Sequence, residues 1–352
     1  KVKIMSNDIS VYTEGINDLP HLNTRVNTDN YFENLLEDED FLSWEPNREY
    51  QDMNYDNNRK NKFIEKLPDT DKYYYLDDDY NKTINDKNDF LNQFSNDLND
   101  LRKKDNSYET DSLSDLFNNV KQSIVSGKAD YLDVLKDIFS NYMNFVNELR
   151  QTISNLNKYQ KAGSKEGTVN FDFKSFFNDL SNIRDKYKNP TGTVDDPFVF
   201  KSRLFFQHQK DGTYLRTIDG QEVHYSDLQQ VNNAADALEK LLKGINGISV
   251  SIQRRGGEPD VDIDCRGRID CTDLEKLLND LSKKVSNTDD INQTEFELFR
   301  KTIDALDKKI NTNLDELSKK YSTANSNYDN FVKIVSSTMN TLLEMAKGFL
   351  RF

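Results

Sequence analysis

From Phe296 to Phe349 the chain has no proline and one glycine, Gly348, and its apolar residues recur three and four positions apart. The stripe reads Phe296, Phe299, Ile303, Leu306, Ile310, Leu314, Leu317, Tyr321, Ala324, Tyr328, Phe331, Val335, Thr338, Leu342, Met345 and Phe349. Apolar groups at that spacing line one narrow face of a helix and form the seam of a coiled coil. The step is four then four at Leu306, Ile310 and Leu314, a phase insertion that locally unwinds a supercoil. A helix of this length extends about 80 Å at 1.5 Å per residue. It cannot bury its stripe alone.

A second stripe supplies a partner. Leu135, Ile138, Tyr142, Phe145, Leu149, Thr152, Leu156 and Tyr159 alternate steps of three and four, and the glycines from Gly163 to Gly167 end the run. Two seams about 130 residues apart predict an antiparallel intramolecular pair with the intervening residues folded as an insert. A homo-oligomeric coil would bury the same stripes. The insert has mixed character. Phe171, Phe173, Phe176, Phe177, Leu180 and Ile183 predict a helix ending before Pro190. Ile248, Val250 and Ile252 then alternate with serines, Gly256 and Gly257 mark a turn, and Val261 and Ile263 alternate with aspartates, predicting a β-hairpin. Leu274, Leu277, Leu278 and Leu281 return to helical spacing.

The front of the chain differs. Residues 1–80 hold 19 acidic and 9 basic side chains, in a chain of net charge -14. Asp77, Asp78 and Asp79 read as a loop, and a helix is predicted from about Lys87 to Lys104 by Phe90, Leu91, Phe94, Leu98 and Leu101. A helix start follows at Ser112, with Asp115 in capping-box position. A polyanionic front argues against nucleic acid, which requires clustered Lys and Arg. No apolar run is long enough to span a bilayer, and Lys1–Met5 lacks the apolar core of a cleaved signal peptide.

Few residues point to chemistry. Asp262, Asp264 and Asp273, with Gly267 and Ile269 between, have the spacing of a calcium loop, but Arg266 stands where an oxygen ligand belongs. The plainer reading is a strand running into a helix, and no metal site is expected. Cys265 and Cys271 are read as two ordinary thiols, a local disulfide being the alternative. No nucleotide-binding or nucleophile motif occurs, so no catalytic residue is assigned and no enzyme is expected.

Residues Lys320–Thr338, with Tyr321, Tyr328, Asp329, Asn330, Phe331, Val332 and Lys333, and the ending Lys347–Phe352 resemble the C-terminal signature of the IpaD/SipD/BipD family of type III secretion needle-tip proteins. Ser112–Val134 and the hairpin at Ile248–Asp264 are also similar to that family. The resemblance covers about Ser112 to Phe352. It implies a mainly α protein with a long central antiparallel coiled coil, an N-terminal helical hairpin that shields the coil before assembly, and an inserted mixed α/β distal domain. The corresponding segments are 1–85, an acidic, partly disordered secretion region; 86–111, the hairpin region; 112–162, the first coiled-coil helix; 163–290, the distal domain; and 291–352, the second coiled-coil helix. The implied function is a secreted scaffold at the bacterial surface. It caps the needle as roughly a pentamer, controls secretion and serves as a platform from which a hydrophobic translocator enters the host membrane. The implied partners are the needle subunit, the translocator and further copies of the chain, with no cofactor except a bile salt such as deoxycholate as a regulatory ligand. A calcium-regulated adhesin and a self-assembling coiled-coil filament are the alternatives. Needle binding is assigned to the polar residues between the seam positions, Asn325, Asp329, Asn330, Lys333, Ser336 and Ser337, which are expected to point partly outward.

Overall fold

A computed structural model describes residues 59–104, 111–188, 198–255, 259–285 and 290–349. A short helix at 59–64 leads through Pro68 into α1 (Asp69–Lys104). Next come α2 (Asp111–Gly127), a π-helical turn (Lys128–Leu132) and α3 (Asp133–Ser154). The distal unit comprises β1 (Gln160–Ala162), β2 (Thr168–Phe171), α4 (Phe173–Lys188), β3 (Phe200–His208), β4 (Tyr214–Ile218), β5 (Gln221–Tyr225), α5 (Leu228–Lys243), β6 (Ile248–Arg255), β7 (Val261–Ile269) and α6 (Thr272–Ser282). The chain returns through β8 (Ile291–Asn292) into α7 (Gln293–Phe349), 57 residues in one helix.

The rod forms around α7. The seam residues Leu135, Ile138, Tyr142, Phe145 and Leu149 on α3 and Leu317, Tyr321, Tyr328 and Phe331 on α7 are all buried. Asn313 of α7 donates to the Tyr142 hydroxyl at 3.2 Å, while Tyr328 farther along α7 donates to the carbonyl of Ile124 at 2.9 Å. Rising numbers on one helix thus meet falling numbers on the other, and the pair is antiparallel. The phase insertion is real, since Leu306, Ile310 and Leu314 are all buried.

The seam departs from its predicted course at both ends. Past Phe331 the buried residues are Val332, Met339 and Leu343; Thr338 and Met345 are exposed, and Val335 and Leu342 only half-buried. A helix of 3.6 residues per turn drifts against a strict seven-residue repeat, and here α1 packs from a second side, so the buried face rotates toward it. On the other strand of the pair, α3 stops at Ser154. Asn155 leaves helical geometry, and Leu156–Tyr159 form a 3-10 turn. Thr152, Leu156 and Tyr159 are therefore not seam residues. Tyr159 instead joins Phe171 and Phe176 in an aromatic cluster of the distal unit, with its ring 5.1 Å from that of Phe176. The first coiled-coil helix thus ends before residue 162, and the insert begins at β1.

The acidic front also needs correction. The helix begins at Asp69 rather than near Lys87, and Asp77, Asp78 and Asp79 lie inside it. Leu76, Thr83, Phe90, Phe94, Leu98 and Leu101 form its buried stripe. Aspartate is a poor helix former, but the structure gives two of the three a cation: Lys136 reaches Asp77 at 2.7 Å, and Lys60 pairs with Asp79. Residues 1–58, which carry most of the expected secretion region, lie outside the described residues.

The insert holds two antiparallel sheets. One has the order β1-β2-β8; the other has five strands in the order β5-β4-β3-β7-β6. The predicted hairpin is β6 paired with β7, from Ile248 opposite Ile269 to Arg255 opposite Asp262. Helix α4 starts at Phe173, so Phe171 belongs to β2. Among the described residues no helix is long and apolar enough to cross a membrane.

Candidate interaction surface

Helix α7 carries two stripes side by side. The aromatic seam faces α3. Next to it Ser318, Ser322, Asn325 and Ser326 are buried although polar. Small polar residues at heptad-like spacing let another backbone approach closely, and what approaches is the arm formed by residues 59–64 and α1. Ser322 donates to Asn61 Oδ1 at 2.7 Å, Asn61 Nδ2 donates to Thr323 Oγ1 at 3.2 Å, and Lys60 donates to Ser326 Oγ at 3.3 Å. Asn325 donates to the carboxylate of Asp79, which also holds Lys60. As the numbers rise from Lys60 to Glu65 the partners fall from Ser326 to Lys319; as they rise from Lys72 to Asp79 the partners rise from Asp315 to Asn325. The chain therefore reverses at Leu67 and Pro68 and lies as a helical hairpin on α7. The ring of Phe63 stands 5.4 Å from that of Tyr75 across the bend.

Electrostatics favour this closed arrangement. Burial raises the pKa of the Asp69 carboxyl, but hydrogen bonds from Arg150 and Lys72 outweigh it and hold the group below its usual range. Lys72 is likewise raised above its usual value, because Asp315 and Asp69 outweigh its burial. Arg150 also donates to Asn311 of α7, so one guanidinium ties α1, α3 and α7 together. Tyr80 of α1 donates to Asp133 of α3 at 2.6 Å, beneath the ammonium of Lys136, 3.8 Å from the ring centre. Beside the apolar stripe of α1 the interface carries these polar bonds, which water can replace on separation.

The six residues assigned to needle binding do not share one environment. Lys333 and Ser337 are exposed, and Asp329, Asn330 and Ser336 half-buried, whereas Asn325 is buried under the hairpin. Its outward placement was expected from a two-helix pair; a third helix covers that face. Asp329 and Lys333 pair with each other at 2.6 Å, four residues apart. Ile334 and Met345 are exposed on the same helix. Ser336 also lines a cleft of about 250 Å³ between α1 and α7, together with Asn340, Phe90, Gln93 and the carboxylates of Asp86 and Asp89. Lys60, Asn61 and Asp79 were not singled out by sequence reasoning. The serine stripe was the available signal, since it repeats at Ser318, Ser322 and Asn325 beside the aromatic one.

The calcium spacing does not form a site. Asp262 and Asp264 lie in strand β7, not in a loop. Arg203 grips Asp262 with two bonds, at 2.8 and 2.9 Å, Arg266 donates to Asp264, and Asp273 in α6 is held by Lys276 of the same helix and Lys309 of α7. Each carboxylate is neutralised by its own cation, and among the described residues no cluster of His, Cys, Asp or Glu could hold a metal ion. Cys265 and Cys271 are free and buried. Burial pushes their thiols up to about 11 and about 12, which leaves them unreactive.

The distal unit is braced on the rod at several points. Arg216 of β4, buried, donates twice to Asp130 of the π-helical turn. Asn141 of α3 donates to the carbonyl of Val199 at 2.8 Å. At the base of β6, Gly247 lies so close to Tyr142 and Asn313 that a Cβ there would stand 2.8 Å from the Tyr142 ring.

Comparison with known proteins decides what this architecture is. The profile of type III secretion systems tip complex components matches residues 70–350. The chain belongs to that family. This tip-complex component is 25% identical over 247 residues to the cell invasion protein SipD of Salmonella typhimurium, spanning 69% of the chain and 63% of SipD. It is 24% identical over 247 residues to the invasin IpaD of Shigella dysenteriae, spanning 70% of the chain and 62% of IpaD. The chain thus spans a little under two thirds of the length of the relatives it matches. Among solved structures, BipD, a component of the type III secretion system of Burkholderia pseudomallei, matches with a TM-score of 0.43 at 15% identity, over 78% of this chain and 81% of that one.

Proposed function

We propose that this tip-complex component is secreted through the type III apparatus and caps the needle at the bacterial surface as a non-enzymatic scaffold. In this role it docks on the needle subunit through α7, associates with further copies, about five in all, and gives a hydrophobic translocator a platform beside the host membrane. It thereby governs when translocators and effectors leave. The observation that carries the reading is α7 itself: one unbroken helix at the centre of the rod that leaves Lys333 and Ser337 exposed and Asn330 and Ser336 half-buried beside its seam. The hairpin of residues 59–104 covers the neighbouring stripe through replaceable polar bonds, as a shield that leaves on assembly would.

A bile salt such as deoxycholate is proposed as a regulatory ligand beside the coiled coil. The cleft at Ser336 is not its place, because Asp86 and Asp89 face that cleft and repel a carboxylate. The test of the main reading is a pair of variants, Asn330→Glu and Lys333→Glu. The folded chain is expected to melt as before while binding to needle subunits is lost. Needle capping at the original level by both variants would overturn the assignment of this face.

A further inference from the structure

The two edges of the five-stranded sheet, β5 and β6, differ in what meets them. The N–H of Asp270 donates to the carbonyl of Gly247 at 2.9 Å, so these two residues form a bonded pair of the β6–β7 ladder. Bonded and non-bonded pairs alternate in an antiparallel ladder, and the register runs unbroken from Ile248 opposite Ile269 to Arg255 opposite Asp262. Ser249, Ser251, Gln253 and Arg255 therefore turn their backbone groups to β7. Ile248, Val250, Ile252 and Arg254 turn theirs outward, where no partner stands among the described residues. At the other edge the outward N–H of His224 in β5 donates to the Gln122 side chain of α2 at 3.1 Å. Helix α5 links the two edge strands across the inner face, where Arg254 reaches Asp236 at 3.0 Å. Among the described residues nothing lies along β6.

An open edge invites another strand, and natural sheets blunt it with prolines, bulges, short strands or inward-pointing charges. β6 is eight residues long, contains no proline and has no bulge in its register. Its one charge on the inner side, Arg254, stands near the far end and is already paired with Asp236. The two sides of the strand differ in character. Ile248, Val250 and Ile252 are half-buried and pack on the core. On the outer side Ser249, Ser251 and Gln253 are exposed, and the register sets Arg268 and Arg266 of β7 beside them, with Lys201 and Arg203 of β3 beyond. With Arg255 these make five cations against two carboxylates, Asp262 and Asp264, in a chain of net charge -14. Lys201 and Arg268 have no ion pair among the described residues.

We propose that β6 is a docking edge, which takes an extended acidic segment of another protein as an additional antiparallel strand. Strand addition draws its affinity from the backbone and its specificity from alternate side chains. Antiparallel addition continues the rest of this sheet, in which every pairing is antiparallel. Incoming residues opposite Val250 and Ile252 share their side of the sheet, so apolar side chains there extend the half-buried stripe. The residues between them fall on the outer side, where carboxylates meet Arg255, Arg266 and Arg268. A second copy of this chain is a poor occupant, because its own β6 brings an equally cationic face. The proposal does not rest on the needle-capping reading, which uses α7.

The probe is a fluorescent synthetic peptide of about ten residues, enough to cover a strand, that alternates valine with glutamate; its counterpart alternates valine with lysine. By anisotropy on the full-length chain, the acidic peptide should bind about tenfold more tightly than the basic one. Methylating the backbone nitrogens of the valines, whose N–H groups face β6 in this geometry, should abolish binding, while methylating those of the glutamates should leave most of it. Amide exchange should slow in β6 on adding the acidic peptide and stay unchanged in β5. Removing two outer charges, Arg255→Ser with Arg268→Ser, should weaken the acidic peptide several-fold while circular dichroism shows the chain still folded. No binding of the acidic peptide up to about 1 mM, equal binding of the two peptides, or equal loss from the two methylations would each overturn the proposal. So would protection of β6 that appears without peptide as the chain is concentrated, since the occupant would then be a second copy.

Discussion

The side-chain amide of Asn325, near the middle of α7, donates to the carboxylate of Asp79, in the first third of α1. Asn325 is 1% exposed, so its amide is shielded from water, and the same carboxylate, itself partly exposed, holds Lys60. Removing it in Asp79→Ala leaves the buried Asn325 amide without that acceptor and Lys60 with only the Ser326 hydroxyl, at a cost of about 1–3 kcal/mol. Hydrogen exchange should accelerate across residues 59–104 and stay unchanged in β3 and β7. Equal acceleration in the sheet would show that the hairpin does not open on its own.

The corrected seam makes a second prediction. Leu343 is 1% exposed and Leu342 half-buried. Leu343→Ala should cost about 2–5 kcal/mol through the cavity left behind, and Leu342→Ala about 1 kcal/mol. Denaturant midpoints measured side by side settle the order; equal losses would return the seam to its strict repeat.

Gly247 gives a third. Its φ of 83° suits glycine, and an added Cβ would meet Tyr142 and Asn313. Gly247→Ala should destabilise the chain by about 1–3 kcal/mol. The effect should be smaller in a Tyr142→Phe background, which removes the hydroxyl from the contact. A thermal melt unchanged in the single variant would count against the close approach.

The thiols allow a prediction in pH. Burial favours the protonated form of Cys265 and Cys271, placing them at about 11 and about 12 in the folded chain, against about 8.5 for a free thiol. The stabilisation is complete below the unfolded value and is lost as pH rises through 11 and 12. Iodoacetamide at about pH 8 should leave both unlabelled in the native chain and label both after unfolding. Prompt native labelling of either would mean that its segment opens readily.

Much of this architecture was legible in the sequence because one device, the heptad stripe, fixes it. Leu135 to Leu149 and Leu306 to Tyr328 announce a paired rod, and Ile248, Val250 and Ile252 announce a strand. The front of α1 was hidden because its aspartates mimic a loop; the cations that neutralise Asp77 and Asp79 sit elsewhere in the chain, on Lys136 and Lys60. The placement of Asn325 was hidden for the same reason. Its face is decided by a helix about 246 residues earlier, and no local pattern records which side a third helix will take. The calcium spacing misled because Asp262 and Asp264 are two apart in a strand as well as in a loop, and only the register shows Arg203 beside them.

The bonds between the hairpin and α7 join residues 243 to 266 positions apart, and those between α3 and α7 span 161 to 171. The common member of every pair is α7, which is made after all the elements it joins. Contacts of such separation form slowly and late, so until α7 has been made the rod has no centre to close around. Before that the earlier helices lack the partner that buries their stripes, and the rod can close only once α7 (Gln293–Phe349) is present. A partner that takes hold of the earlier segments in that interval meets a thread rather than a rod.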